Sequence, residues 1–113
     1  MPTLSAAETS LLHAFLNRVI PPDDDPGAVE AGVMGHVESR FAADPSTVEV
    51  YRAGLILLES RSFQDLPAPA QDEVIGELES HGAIATMISH AIEGYYTGPK
   101  SVGAAMVGFR VTA

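Results

Sequence analysis

The sequence contains no cysteine, which excludes disulfide bridges and thiolate metal sites and leaves the redox compartment undetermined. Basic residues are scarce: 6 Lys and Arg stand against 15 Asp and Glu, for a formal net charge of −9. A phosphate backbone needs clustered positive charge to displace its counterions, so no nucleic-acid partner is expected. Long apolar runs are also missing. None approaches the ~18 residues that a membrane span requires. The opening "MPTLSAAETSLLHAFLNRVI" lacks a basic n-region, and Glu8 and His13 interrupt any apolar segment there. No secretory leader is read in it, and the cytoplasm is the default compartment.

What remains is a chain of 113 residues, 46% of them hydrophobic, a composition that fits one folded domain over residues 1–113. Its elements read as helix after helix. "SAAE", Ser5 to Glu8, is a capping box, in which the serine hydroxyl and the glutamate carboxylate satisfy each other's backbone N–H. Leu11, Leu12, Phe15, Leu16 and Val19 follow at helical spacing. "IPPDDDPG" stops that helix, and Asp25-Pro26 signals the start of the next, "GAVEAGVMGHVESRF". Val29, Val33, Val37 and Phe41 lie four apart in it, with Gly32 and Gly35 weakening its first half.

Asp44-Pro45 repeats the start signal. The helix after it carries Val48, Tyr51, Leu55 and Leu58 on one face and Val50 and Leu57 on another, the pattern of a helix covered on two sides. "QDLPAPAQDEVIGELES" gives a proline-initiated helix with a narrow stripe of Val74, Ile75 and Leu78. From Ala83 the series Ile84, Met87, Ile88, Ala91, Ile92, Tyr95 is the cleanest periodicity in the chain. No segment alternates with period two. The expected fold is all-α, a single compact domain of about five helices with a nonhelical C-terminal tail.

Local motifs carry no reaction chemistry. Counting an EF-hand loop from Asp23, Asp24 or Asp25 puts Met34, Gly35 or His36 at the twelfth position, where a bidentate Glu is needed. A solvated loop whose last Asp caps a helix is the plainer reading. "GPKS", Gly98 to Ser101, has Pro99 before Lys100 and a helix upstream, unlike a phosphate loop. His13, His36, His81 and His90 lie in four different segments with no HxxxH pair, so each is expected at the surface or half buried. No serine stands in a G-x-S-x-G elbow. Catalytic, cofactor and metal residues are all expected to be absent.

The sequence resembles a known family in collinear pieces. "LLHAFLNRVIPPDDDPGAVEAGVMGHVESRF", Leu11 to Phe41, is similar to the opening signature of the gluconate 2-dehydrogenase subunit 3 family. There a first helix ends in Ile-Pro, and an acidic turn leads through Pro-Gly-Ala to an Ala-Gly-Val helix entry. "HAIEGYYTGPKSVGAAMVGF", His90 to Phe109, resembles its closing signature: a helix ending in Gly-Tyr-Tyr, a proline loop, glycines and a terminal Gly-Phe. "FQDLPAPAQDEVIGELE" matches in kind between them. Two features depart from the family. No twin-arginine leader precedes the first helix, which points to the cytoplasm, or to the periplasm if an exported partner carries the chain. The ending has Gly103 alone in place of a glycine pair, and neither the Asn nor the Trp of the family.

The resemblance implies a non-catalytic accessory subunit that binds and stabilises a large FAD-dependent sugar or polyol dehydrogenase of the glucose-methanol-choline type. FAD would sit in that partner, none in this chain, and a cytochrome c subunit sometimes completes such complexes. The partner interface is expected at Tyr95, Tyr96, Pro99, Lys100 and Phe109. Tyr95 continues the apolar stripe and Tyr96 falls about 100° round the helix, so one ring can serve the core and the other a partner. The small-sided strip from Val102 to Gly108 allows close backbone approach. A C-terminal lid packed within the chain is the competing reading. So is a free-standing helical adaptor, or a small enzyme assembled from His90, Glu93 and Tyr96.

Overall fold

The computed structural model describes residues 3–22 and 26–97. Five α-helices and one 3₁₀ turn order these residues: α1 Ala6–Val19, α2 Val33–Ala43, α3 Ser46–Ser60, the turn Phe63–Asp65, α4 Ala68–Leu78 and α5 Gly82–Thr97. No strand occurs among them. The expected nonhelical tail lies outside the described residues.

Local side-chain chemistry marks the starts of α1, α3 and α4. At α1 the capping box forms in full: Ser5 Oγ accepts from the Glu8 N–H at 3.1 Å, and Glu8 Oε1 accepts from the Ser5 N–H at 2.7 Å. That second bond holds the Glu8 carboxyl below its ordinary range. At α3, Pro45 already has helical backbone angles. The Asp44 carboxylate accepts from both the N–H (3.1 Å) and the hydroxyl (2.6 Å) of Ser46. Pro67 and Pro69 start α4, where a missing N–H costs nothing.

The second helix starts later than its sequence signals suggest. Residues after Pro26 wind into turns, with Ala31 N–H bonded to Gly27 O and Val33 N–H to Ala28 O. At Gly32 the backbone turns left-handed (φ 88°), and α2 begins at the next residue. Glycine takes that angle freely, whereas any other residue would be strained. The wound segment folds back onto the end of α1: Ala28 N–H reaches Ile20 O at 2.9 Å, and Val29 N–H reaches Asn17 Oδ1 at 3.2 Å. A Cβ on Gly27 would stand 2.8 Å from both the nitrogen and Cδ of Pro22. The turn is that tight.

Buried side chains from all five helices and the 3₁₀ turn form one cluster. Leu12, Phe15, Leu16, Val33, Val37, Val48, Tyr51, Leu58, Phe63, Ile84 and Met87 have no appreciable exposure, and each large apolar one contributes about 1.5–3 kcal/mol relative to an exposed position. Phe15 and Phe63 meet as a tilted pair at 6.2 Å, and Phe41 stands edge-on to Tyr51 at 5.0 Å. Helix α5 packs against α1, α2 and α3, and glycines set how closely. A Cβ on Gly54 of α3 would lie 2.4 Å from Met87 Sδ, and one on Gly94 of α5 would lie 2.8 Å from His36 Cβ.

The covering of α3 differs from the expected pattern. Val48, Tyr51, Leu55 and Leu58 are buried as the spacing requires, but Leu57 is only half buried and Val50 is exposed. Ile56 is 69% exposed. It borders a shallow groove between α1 and α3, with Ala7, Leu11 and Leu55 among its lining. Polar ties hold the periphery: Arg52 links Glu8, Glu49 and the Thr3 carbonyl, Arg18 pairs with Asp72 at 2.9 Å, and Arg61 pairs with Glu77. Pairs this exposed contribute at most about 1 kcal/mol each.

Candidate partner interface and the histidine cluster beside it

The C-terminal half of α5 presents different chemistry on each side. Tyr95 points inward, 7% exposed, and its hydroxyl donates to the Pro26 carbonyl at 3.0 Å. Tyr96 is half buried and meets the Tyr95 ring edge-on at 5.5 Å. The pair therefore divides as the helical wheel requires, one ring in the core and the next at its margin. Ile92, placed inward by the apolar period, is instead 46% exposed. The inward places two residues either side are taken by His90 and Gly94. Pro99, Lys100 and Phe109 lie outside the described residues, as do Asp23, Asp24 and Asp25.

His90 corrects the expectation of four surface or half-buried histidines. His13 and His36 are half buried and His81 is exposed, but His90 is 8% exposed, the polar residue buried in the core. Its ring stacks on Tyr51 at 5.7 Å with 21° between the planes, and its Nδ1 lies 2.8 Å from the Tyr51 hydroxyl. Burial pushes the Tyr51 phenol well above its ordinary pKa, so the hydroxyl stays protonated. Donation from that hydroxyl to a neutral imidazole, with the ring proton on Nε2, satisfies both buried atoms.

A second histidine stands beside the first. His36 of α2 meets His90 edge-on at 6.4 Å, and His36 Nε2 donates to Glu93 Oε1 at 2.7 Å. Gly94 makes this possible, because any side chain there would collide with the His36 ring and its Cβ. The bond from His36 lowers the Glu93 pKa. For His90 the shift is also downward, first from burial and then from the positive charge of Arg40.

The residues of the small-enzyme reading are each engaged with a different neighbour. His90 bonds Tyr51, Glu93 bonds His36, and Tyr96 packs on Tyr95. The three residues serve three separate contacts. Among the described residues no group of three His, Asp or Glu side chains is placed to hold a metal. No helix among them is long and apolar enough to cross a membrane. Sequence spacing alone had no means to find this cluster, since its bonds join positions 39 and 57 residues apart.

Fold and site together define a small all-helical protein in which a Tyr–His and a His–Glu contact tie α5 to α3 and α2. The sequence model of one family, Gluconate 2-dehydrogenase subunit 3, matches residues 6–112. The chain belongs to that family. Comparison with curated proteins and with solved structures gives no match.

Proposed function

We propose that this chain is a non-catalytic accessory subunit that binds and stabilises a large FAD-dependent sugar or polyol dehydrogenase. The observation that carries the reading is membership, over almost the whole chain, in a family named for a dehydrogenase subunit. In this reading FAD belongs to the large partner, a cytochrome c subunit is a possible third component, and this chain contributes surface. The end of α5 supports the assignment of that surface. Tyr96 offers a half-buried aromatic face with a polar tip beside exposed Ile92 and Glu93, the composition favoured where one protein anchors on another. Pro99, Lys100 and Phe109 extend the proposed interface along the chain beyond α5.

Co-expression tests the proposal. A large flavoprotein should co-purify with this chain, coloured yellow, and should be insoluble or inactive when expressed alone. A flavoprotein that behaves identically with and without the chain removes the accessory role. A soluble monomer or homodimer that captures no flavoprotein favours the free-standing adaptor.

A further inference from the structure

Three helices converge where His90 is buried, and each contributes polar groups there: Tyr51 and His90 are buried, His36 is half buried, and Arg40 and Glu93 stand at the exposed margin. From α3 comes the Tyr51 hydroxyl, 2.8 Å from His90 Nδ1. From α2 come His36, edge-on to His90 at 6.4 Å, and Arg40, one turn further along the same helix. From α5 itself comes Glu93, tied to His36 at 2.7 Å. None of the charged groups of α1 acts on His90. Among the described residues Glu93 is the carboxylate whose charge favours a proton on His90, against burial and Arg40, and it is engaged by the neighbouring imidazole.

We infer that this junction is an acid-released clasp: a proton on His90 undocks the C-terminal half of α5, with Tyr95 and Tyr96, from α2 and α3. The argument is one of hydrogen-bond inventory and charge. A neutral His90 accepts from Tyr51, and both buried atoms are satisfied. A protonated His90 has only donors. Its Nδ1–H then faces a hydroxyl that must accept, and the Tyr51 proton, buried with no exposure, loses the acceptor it had. The new charge also stands beside Arg40 and His36 in a site where burial already disfavours it. Gly94 brings the α5 backbone close against the His36 side chain, so the strained pair lies at the α2–α5 seam, and parting that seam gives the charged ring access to water.

The sign follows from linkage. The folded state holds the His90 pKa below its ordinary value of about 6.5, so the unfolded or undocked state binds the extra proton. The stability that neutral His90 contributes is fully present above about pH 6.5 and is lost as the pH falls through that value towards the folded pKa. One linked proton changes the docked-to-undocked ratio by up to about tenfold per pH unit in that window. The clasp concerns the chain's own helices and does not depend on the accessory reading.

The test uses the full chain, followed by denaturant unfolding from pH 7.5 to 5, against His90→Gln, whose side-chain carbonyl accepts from Tyr51 but takes no proton. Between pH 6.5 and 5.5 the folded-to-unfolded ratio of the wild type should fall by up to about tenfold more per pH unit than that of the variant. Protection factors at residues 90–97, corrected for the intrinsic slowing of exchange in acid, should fall on acidification in the wild type and stay closer to their neutral-pH values in the variant. Parallel pH profiles for the two proteins overturn the clasp. Should His90→Gln fail to fold, NMR titration of the wild-type His90 ring decides alone. Titration below the ordinary imidazole range, in step with spectral change along α5, supports it. Titration at or above that range overturns it.

Discussion

Tyr51 and His90 are 39 residues apart in sequence, yet the hydroxyl of one lies 2.8 Å from Nδ1 of the other and their rings are stacked. This pair joins the middle of α3 to the second half of α5 through a buried polar contact in an otherwise apolar core. Removing one partner and leaving the other is the costly change.

Tyr51→Phe keeps the ring and its packing against Phe41 but leaves His90 Nδ1 without its donor. The expected loss is about 1–3 kcal/mol in denaturant unfolding. A double-mutant cycle with His90→Leu should show strong non-additivity, because the second substitution removes the group that the first leaves unsatisfied. Additive losses would mean that the hydrogen bond contributes nothing beyond packing.

Two glycine-to-alanine substitutions should have opposite signs. Gly94→Ala places a methyl group 2.8 Å from His36 Cβ, an atom close to the backbone of α2 that has little freedom to shift. The expected destabilisation is about 1–3 kcal/mol. Gly76→Ala, within α4, meets nothing within 4 Å and should stabilise by roughly 0.5–1 kcal/mol through helix propensity alone. Thermal melting of the two variants beside the wild type reads both.

Ser5→Ala opens the capping box of α1. It removes the hydroxyl that accepts from Glu8 N–H, and the expected cost is about 1 kcal/mol. Exchange of the amide hydrogens in the first turn of α1 should rise first, since the lesion is local to that end. A uniform rise across the helices would instead indicate loss of global stability.

At the proposed interface, Tyr96→Ala should weaken binding to the flavoprotein by about 1–3 kcal/mol if the ring is an anchor, while the melting temperature of the isolated subunit moves less. Pull-down and thermal melting of the same variant separate these effects. Equal losses in both would support the intramolecular lid.

Much of the fold was legible because helix ends are local. The Ser5 box, Asp44-Pro45 and the Pro67–Pro69 start each act within four residues, and each stands where the sequence places it. The start of α2 was harder. Asp25-Pro26 is a sound signal, but the left-handed Gly32 decides the matter by ending one turn and setting the direction of the next helix. Burial along α5 was misjudged for a different reason. Its apolar period favours Ile92, whereas the structure buries His90 and Gly94 on the side facing α2 and α3. A histidine is welcome in a core only when a hydroxyl from another helix meets it, and a glycine marks a contact only when the neighbour is known. Both conditions are set across the fold, and neither leaves a trace in local spacing.

The hydrogen bond from Tyr95 to the Pro26 carbonyl connects two stretches of chain separated by 69 residues and by most of the helices. A grip on the last turn of α5 would therefore bear on the turns after Pro26 that lead into α2, because one phenol serves as the rivet for both. Whatever holds Tyr95 in place thus also fixes where the chain after Pro26 lies against α5.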